Sequence, residues 1–293
     1  MTATPVLADR RGGQTGAPSA SRQWAARSRQ WPMTVLGIIF LAIMVFPVYW
    51  MINSSLQANS GAATTSPLPL HATLAGYQTA IHQQGRNLVT SLIVSTGTVI
   101  LTLVIATPAA YGLAHFRLRG MRSFVFVLLI TQMIPAIVIA NALYTLFNDI
   151  NLLNSYQGLI LADTAAQIPF SIILIRAFMA SMPQSLVEAA LVDGANDFRA
   201  FVHIVVPISK NAIVTSALFT FLGAWGDFLF ALTLTSTPAV RPITLGIYNY
   251  LGSNVQEWGP VMATAVLASI PASVLLILAQ KYISAGALGG AIK

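Results

Sequence analysis

The amino-acid sequence predicts an all-α integral membrane protein with six transmembrane helices. Of its 293 residues, 56% are hydrophobic and only 8% are charged, and six apolar runs are each long enough to cross a bilayer. A soluble domain usually carries about 25% charged residues. The chain therefore lacks the polar surface that a water-soluble fold needs, and lipid is its expected solvent.

The six apolar runs define the predicted spans. A helix needs about 20 residues to cross the hydrocarbon core. The runs do not alternate between apolar and polar residues, which excludes the strands of a membrane barrel. Several contain proline, which membrane helices tolerate because neighbouring groups satisfy the freed carbonyl. The predicted spans are Met33–Ile52, Leu88–Tyr111, Ser123–Phe147, Gln157–Phe178, Ala212–Leu234 and Pro260–Tyr282.

The segments outside these runs differ in length and composition. Residues 1–30 are rich in Gly, Ser, Ala and Arg, a composition that predicts a disordered tail because it buries too little apolar surface to offset chain entropy. Residues 31–293 then form the transmembrane domain. Its first run is too long for the core of a signal peptide. The long connections are Asn53–Asn87 and Thr235–Gly259.

The basic residues predict the orientation of the chain. Five lie in the N-terminal tail, three between the second and third spans, three in the region from the end of the fourth span to the start of the fifth, and two at the C-terminal end. Thirteen of the 15 thus share one side, and only Arg86 and Arg241 lie on the other. The positive-inside rule places both termini in the cytoplasm of a multi-pass protein of the cytoplasmic (inner) membrane.

Several functional classes are disfavoured by the composition. The net charge of +7 comes from short loops between apolar runs, so it reflects membrane topology rather than a face for nucleic acid. The sequence has no G-x-x-x-x-G-K-[ST] phosphate-binding loop, H-E-x-x-H or G-x-S-x-G motif, which argues against catalysis by this chain. It contains no cysteine, and its four histidines are scattered, so no metal site is expected.

One polar connection, Ser181–Asn211, has the pattern of a helix–turn–helix. Ser181 and Gln184 have capping-box spacing, and a short helix is predicted to continue to Val192. Gly194 is expected to end it in a left-handed conformation. A second helix is predicted from Asn196 to Val206, closed by Pro207. We expect Ala189, Ala190, Ala195, Phe201 and Ile204 to be exposed with the charged residues, as suits docking into a groove of another protein.

The residues of this connection carry a resemblance to a known family. Glu188, Ala189, Ala190, Asp193, Gly194 and Ala195, followed by Phe201, Ile204 and Pro207, resemble the EAA loop of bacterial ABC importer permeases. The segments Asn87–Ser91, Gln157–Leu161 and Ala224–Ala231 resemble the carbohydrate branch of that family. Within this branch the chain is similar to the shorter, six-helix partner typified by the maltose permease subunit MalG.

The resemblance implies a set of partners and a role. Two permease subunits would form the pore, and each would dock its EAA helix into a cleft of a cytoplasmic ABC ATPase dimer. An extracytoplasmic solute-binding protein would deliver the sugar. ATP and Mg would be bound by the ATPase, with no cofactor on this chain. The implied function is one half of the translocation pore for a di- or oligosaccharide or a related polyol.

Residues within the apolar runs are candidates for the substrate pathway. These are Asn141, Tyr144, Trp225 and Asp227. An acid within the membrane suggests function by default, but Asp227 and Asp163 could equally form hydrogen bonds between helices. Glu188 could simply favour its helix. A secondary transporter and an ABC permease for a non-sugar solute are the alternative functions.

Overall fold

The structure is a computed structural model that describes residues 20–57, 65–116, 119–252 and 258–289. For residues 20–30, 251–252 and 283–289 it describes the helical backbone alone. The described residues form helices and no strand, which confirms the all-α fold class. The chain divides into two compact units, Met1–Trp50 and Met51–Lys293. The predicted division into a tail and a transmembrane domain at residue 30 stays a prediction.

The first unit contains most of helix α1 (Ala20–Ser55). The first eleven residues of this helix belong to the predicted tail; residues 1–19 of that tail lie outside the described residues. Gln, Arg and Ala favour helices, so this stretch can extend the apolar helix in spite of its polarity. Phe46 and Trp50, one turn apart, stack with ring centroids separated by 5.9 Å.

The second unit is built around α2 (Ala75–His115), which packs against α5, α9 and α12. Small hydroxyl residues line its buried face and allow neighbouring helices to approach closely. The predicted connection 53–87 is shorter than expected, because α2 begins at Ala75. Residues 75–87 are polar, and this polarity led us to expect a loop. A helix outside the hydrocarbon core is polar in the same way, so composition did not reveal the helix. The buried hydroxyl residues are Thr90, Ser91, Ser95, Thr98 and Thr102.

The third predicted span is broken. Helices α3 (Met121–Thr131) and α4 (Ala136–Asp149) meet at 93° across a four-residue break. The prediction of one continuous helix over Ser123–Phe147 is therefore wrong. Pro135 stands at the N-cap of α4. A proline lacks the N–H for the helical bond and disfavours helical backbone at the preceding residue, which accounts for the break.

The fourth span is continuous and the fifth is not. Helix α5 (Tyr156–Met179) is capped by Ser155, whose hydroxyl accepts a hydrogen bond from the Gly158 N–H at 3.0 Å. The predicted span Ala212–Leu234 is divided between α9 (Lys210–Trp225) and α10 (Leu229–Leu234). The carboxylate of Asp227 lies in the break and accepts hydrogen bonds from the first turn of α10.

The remaining helices complete the second unit. The predicted loop Thr235–Gly259 contains a 3₁₀ turn (Pro238–Val240) and helix α11 (Ile243–Gly252), and α12 (Trp258–Gly289) follows. Among the described residues, four helices are long and apolar enough to cross a membrane. The number rises to six if two bent pairs, α3 with α4 and Asp197–Ile208 with α9, each count as one span. The count of six stays a prediction.

Candidate functional site

Between α5 and α9 the chain forms a series of short helices: α6 (Ser185–Val192), α7 (Asp197–Ala200), a π-helical turn (Phe201–Val205) and α8 (Val206–Ile208). We call residues 181–211 the coupling segment. The stretch Asp197–Ile208 is bent by 75° relative to α9. This part of the segment is therefore not a continuation of α9 along the same axis.

The start of α6 differs from the prediction. Ser181 does not form a capping box with Gln184, because its hydroxyl donates to the Phe178 carbonyl at 2.7 Å. Gln184 occupies the N-cap position without a side-chain cap. Ser181 still belongs to the turn that closes α5, where free carbonyls are available to its hydroxyl.

The end of α6 confirms the prediction for Gly194. This residue has φ +87°. Its N–H donates to the Leu191 carbonyl at 3.1 Å, and the Ala195 N–H donates to the Ala190 carbonyl at 2.9 Å. These two bonds form a Schellman motif, which requires a left-handed residue at the position of Gly194. A helix of only two turns is thus closed by its own backbone.

The second helical stretch is longer than predicted. The Asn196 side chain accepts a hydrogen bond from the Arg199 N–H at 2.8 Å and caps α7. The helix does not close at Pro207, which lies within α8, and helical backbone continues to Ile208. The π-helical turn ends with the Val206 N–H bonded to the Phe201 carbonyl. This wider turn gives the proline ring room that an α-helical turn would deny.

One face of the coupling segment is buried, which corrects part of the exposure that we expected. Ala190 is only 7% exposed, and Ala195, Phe201 and Ile204 are half-buried. The centroid of the Phe201 ring lies 5.0 Å from the centroid of the Tyr111 ring on α2. These residues face a shared core. The eight residues of α6 show too little periodicity for the sequence to reveal whether Ala189 or Ala190 points inward. The core includes Ala106, Ala110 and Tyr111 from α2, Ile172, Ile175 and Met179 from α5, and Val187, Ala190, Ala200 and Val205 from the segment.

The opposite face of the segment is exposed and mixed in character. Two apolar residues that the sequence analysis did not single out dominate it: Val192 is 88% exposed and Phe198 is 72% exposed. Exposed large apolar groups beside polar ones are typical of interaction sites. Their signal in the sequence was weak, because each lies among charged residues near a turn. We define the docking surface as Glu188, Ala189, Val192, Asp193, Gly194 and Phe198.

The four candidate pathway residues lie in different surroundings. Trp225 is 7% exposed, and its indole N–H donates to the Ala268 carbonyl of α12 at 3.1 Å. Asp227 accepts from the N–H groups of Phe230 and Ala231 at 3.3 and 3.0 Å. Both residues therefore have structural partners. Asn141 and Tyr144 are exposed on α4. The pathway roles of all four stay predictions.

Two further polar residues lie within α5. Asp163 is buried. The Gln167 amide occupies the space where a side chain at position 223 would lie, since that residue is Gly223 of α9. A glycine here allows a polar side chain between two membrane helices, as is common where such helices approach closely.

The comparisons with known proteins identify the family. Residues 99–288 match the family described as "Binding-protein-dependent transport system inner membrane component", and the chain belongs to that family. It is 29% identical to the diacetylchitobiose uptake system permease protein DasC of Streptomyces coelicolor, over 90% of this chain and 97% of that protein. It is 30% identical to the trehalose transport system permease protein SugB of Mycobacterium tuberculosis, over 92% of this chain and 99% of that protein.

The fold matches a solved structure of the same class. A chain of a bacterial ABC transporter involved in the import of the acidic polysaccharide alginate superimposes with a TM-score of 0.76. The match covers 92% of this chain and 99% of that one, at 24% identity. The chain is therefore a membrane component of a binding-protein-dependent transport system with the fold of an ABC importer permease.

Proposed function

We propose that this chain forms one half of the translocation pore of an ATP-driven sugar importer. Its expected substrate is a di- or oligosaccharide or a related polyol. The proposal is supported by family membership and by relatives whose names state uptake of diacetylchitobiose and trehalose. A second permease subunit would form the other half, and an extracytoplasmic solute-binding protein would deliver the sugar.

The energy for transport would come from a separate ATPase. The chain lacks a phosphate-binding loop, so ATP and Mg belong on a cytoplasmic ABC ATPase dimer. The observation that carries this part of the proposal is the docking surface, where exposed acidic and apolar groups stand on a helix closed by a Schellman motif. Such a rigid helix end suits insertion into a groove of a partner.

The buried face of the coupling segment suggests how motion would reach the pore. Val187 and Ala190 of α6 and Val205 of the π-helical turn share one core with α2 and α5. Closely packed cores transmit displacement because they have few voids to absorb it. When ATP closes the ATPase dimer, a docked segment would move with it and displace the ends of α2 and α5. The pore would then change between inward- and outward-facing states.

Charge reversal at Glu188 tests this coupling. Glu188 is exposed on α6. We expect Glu188→Lys to leave the amount of protein in the membrane unchanged but to abolish sugar uptake, together with the ATP hydrolysis that liganded binding protein stimulates. A charge left unpaired at an interface costs about 2–5 kcal/mol. The measurement is ATPase activity of the reconstituted complex, with a pull-down of the ATPase.

A matched control separates this effect from a general effect of charge. Asp149 is exposed at the end of α4, outside the coupling segment. Asp149→Lys should retain uptake and stimulated hydrolysis. Full stimulation in Glu188→Lys would show that the segment does not couple. The substrate is tested separately, by screening the binding protein with sugars in a thermal-shift assay, because a bound ligand raises apparent stability.

The proposed orientation has its own test. The protein has no native cysteine, so single cysteines can be introduced directly. His71 and Ser123 are both exposed, which makes labelling a report of membrane side rather than of burial. We expect an impermeant maleimide to label His71→Cys in intact cells and Ser123→Cys only after permeabilisation. The reverse pattern would place the termini outside the cytoplasm.

A further inference from the structure

An apolar crevice lies between α2, α9 and α12, outside the coupling segment, and none of the four candidate pathway residues lines it. Its volume is about 330 Å³. Side chains from all three helices line it, including Val99, Leu218, Phe221, Leu275, Leu278 and Tyr282. Leu278 is 62% exposed, so the crevice opens at the surface of α12.

The C-terminal end of the crevice differs in character from the rest. Tyr282 lines this end, and the Lys281 ammonium lies 5.0 Å from the centre of the Tyr282 ring. Lys281 follows Leu278 by three residues and is exposed. Side chains three apart on a helix are neighbours. The crevice therefore combines an apolar body with a cationic and aromatic end.

We propose that the crevice binds an acyl chain of an anionic phospholipid, with the lipid phosphate beside Lys281. Helices α2 and α12 are long and apolar enough to cross the membrane, so the medium outside the opening is hydrocarbon. An apolar cavity of this kind stays dry and takes up apolar molecules. Basic pockets between membrane helices bind anionic headgroups, and aromatic and basic residues gather at the level of the headgroups.

The charge of the crevice end favours lipid over the other apolar occupant that a membrane offers, a helix of a second subunit. A phospholipid presents an apolar chain and an anionic phosphate in the same order as the crevice presents Leu278 and Lys281. A membrane helix would satisfy the apolar part alone. The inference rests on the membrane-spanning fold and not on transport, so it can fail or succeed independently of the proposed function.

Photo-crosslinking tests the site. The full chain, purified alone and in its complex, is incubated with phosphatidylglycerol that carries a diazirine within the half of one acyl chain nearer the headgroup. We expect adducts to concentrate in residues 214–221 and 275–282. The same probe with a choline headgroup should label less, and Lys281→Gln should reduce the preference for phosphatidylglycerol by about fivefold, the effect of one charge near the membrane surface.

Two variants complete the test, one on the wall of the crevice and one on the adjacent surface. Ala217→Phe fills the crevice from α9 and should lower labelling there at least tenfold, by displacing about two methylenes of the acyl chain. Ile277→Phe, on an exposed position next to Leu278 that does not line the crevice, should leave labelling unchanged. Adducts spread evenly over all exposed apolar surfaces of the wild-type chain would overturn the proposal. So would labelling of the isolated chain that disappears in the complex, or equal labelling by the two headgroups.

Discussion

Replacing Gly194 by valine is expected to uncouple transport while the protein remains in the membrane. Gly194 has φ +87°, and a side chain added there would meet no atom within 4 Å. The cost of the substitution is therefore conformational, about 1–2 kcal/mol for an ordinary residue and more for a β-branched one. The Schellman motif would open, and Glu188 to Asp193 would lose their fixed arrangement on the docking surface.

The expected result is loss of sugar uptake and of stimulated ATP hydrolysis by the reconstituted complex. The amount of protein in the membrane should stay near normal, because Val187 and Ala190 keep their buried contacts. The measurement is ATPase activity with and without liganded binding protein, alongside uptake. Gly194→Asn is the conservative variant, since asparagine tolerates the left-handed region, and it should retain most of both activities.

A second glycine provides a matched control. Gly120 precedes α3 with φ +85°, and it too has open space for a side chain. Gly120→Val thus imposes a similar backbone strain outside the docking surface, and we expect uptake to persist. Equal loss in Gly120→Val and Gly194→Val would attribute the defect to strain in general. Normal stimulation in Gly194→Val would contradict a coupling role for this helix end.

The sequence was sufficient for the fold class because lipid imposes a length and an apolarity that few other structures share. It could not distinguish a proline inside a helix from a proline at a break. Pro169 lies within α5 and Pro271 within α12, whereas Pro135 begins a new helix. The difference depends on whether neighbouring helices and side chains satisfy the freed carbonyls, and only tertiary structure contains that information.

The candidate site shows the same limit on a smaller scale. Gly194 was predictable because a glycine after a short helix has one dominant use, and its backbone requirement is local. The burial of Ala190 was not predictable, because Ala189 and Ala190 are chemically identical. Only the core shared with α2 and α5 determines which of the two alanines is buried. Asp227 was singled out for its charge in an apolar run, and it caps α10 at a break that the run of apolar residues did not reveal.

Phe198 offers the sharpest test of the docking surface, because a second phenylalanine nearby differs from it mainly in burial. Phe198 is 72% exposed, whereas Phe201 is half-buried against Tyr111. Aromatic residues are enriched at the centres of interfaces. Truncation of an interface hot spot costs about 2 kcal/mol or more, or about 30-fold in affinity. We therefore expect Phe198→Ala to weaken binding of the ATPase by that factor and to reduce uptake.

Phe201→Ala should act in the opposite way. Removal of a half-buried ring from the core lowers the stability of the permease. The loss is roughly 3 kcal/mol at most, because that is the lower end of the usual range for Phe→Ala at a fully buried position. The measurements are thermal unfolding of each purified variant and affinity for the ATPase by pull-down titration. Unchanged affinity in Phe198→Ala would remove this residue from the docking surface. A lower unfolding temperature in Phe198→Ala would mean that its ring packs within the permease, contrary to its exposure. Loss of ATPase affinity in a variant as stable as the wild type would instead place Phe198 at the contact between permease and ATPase.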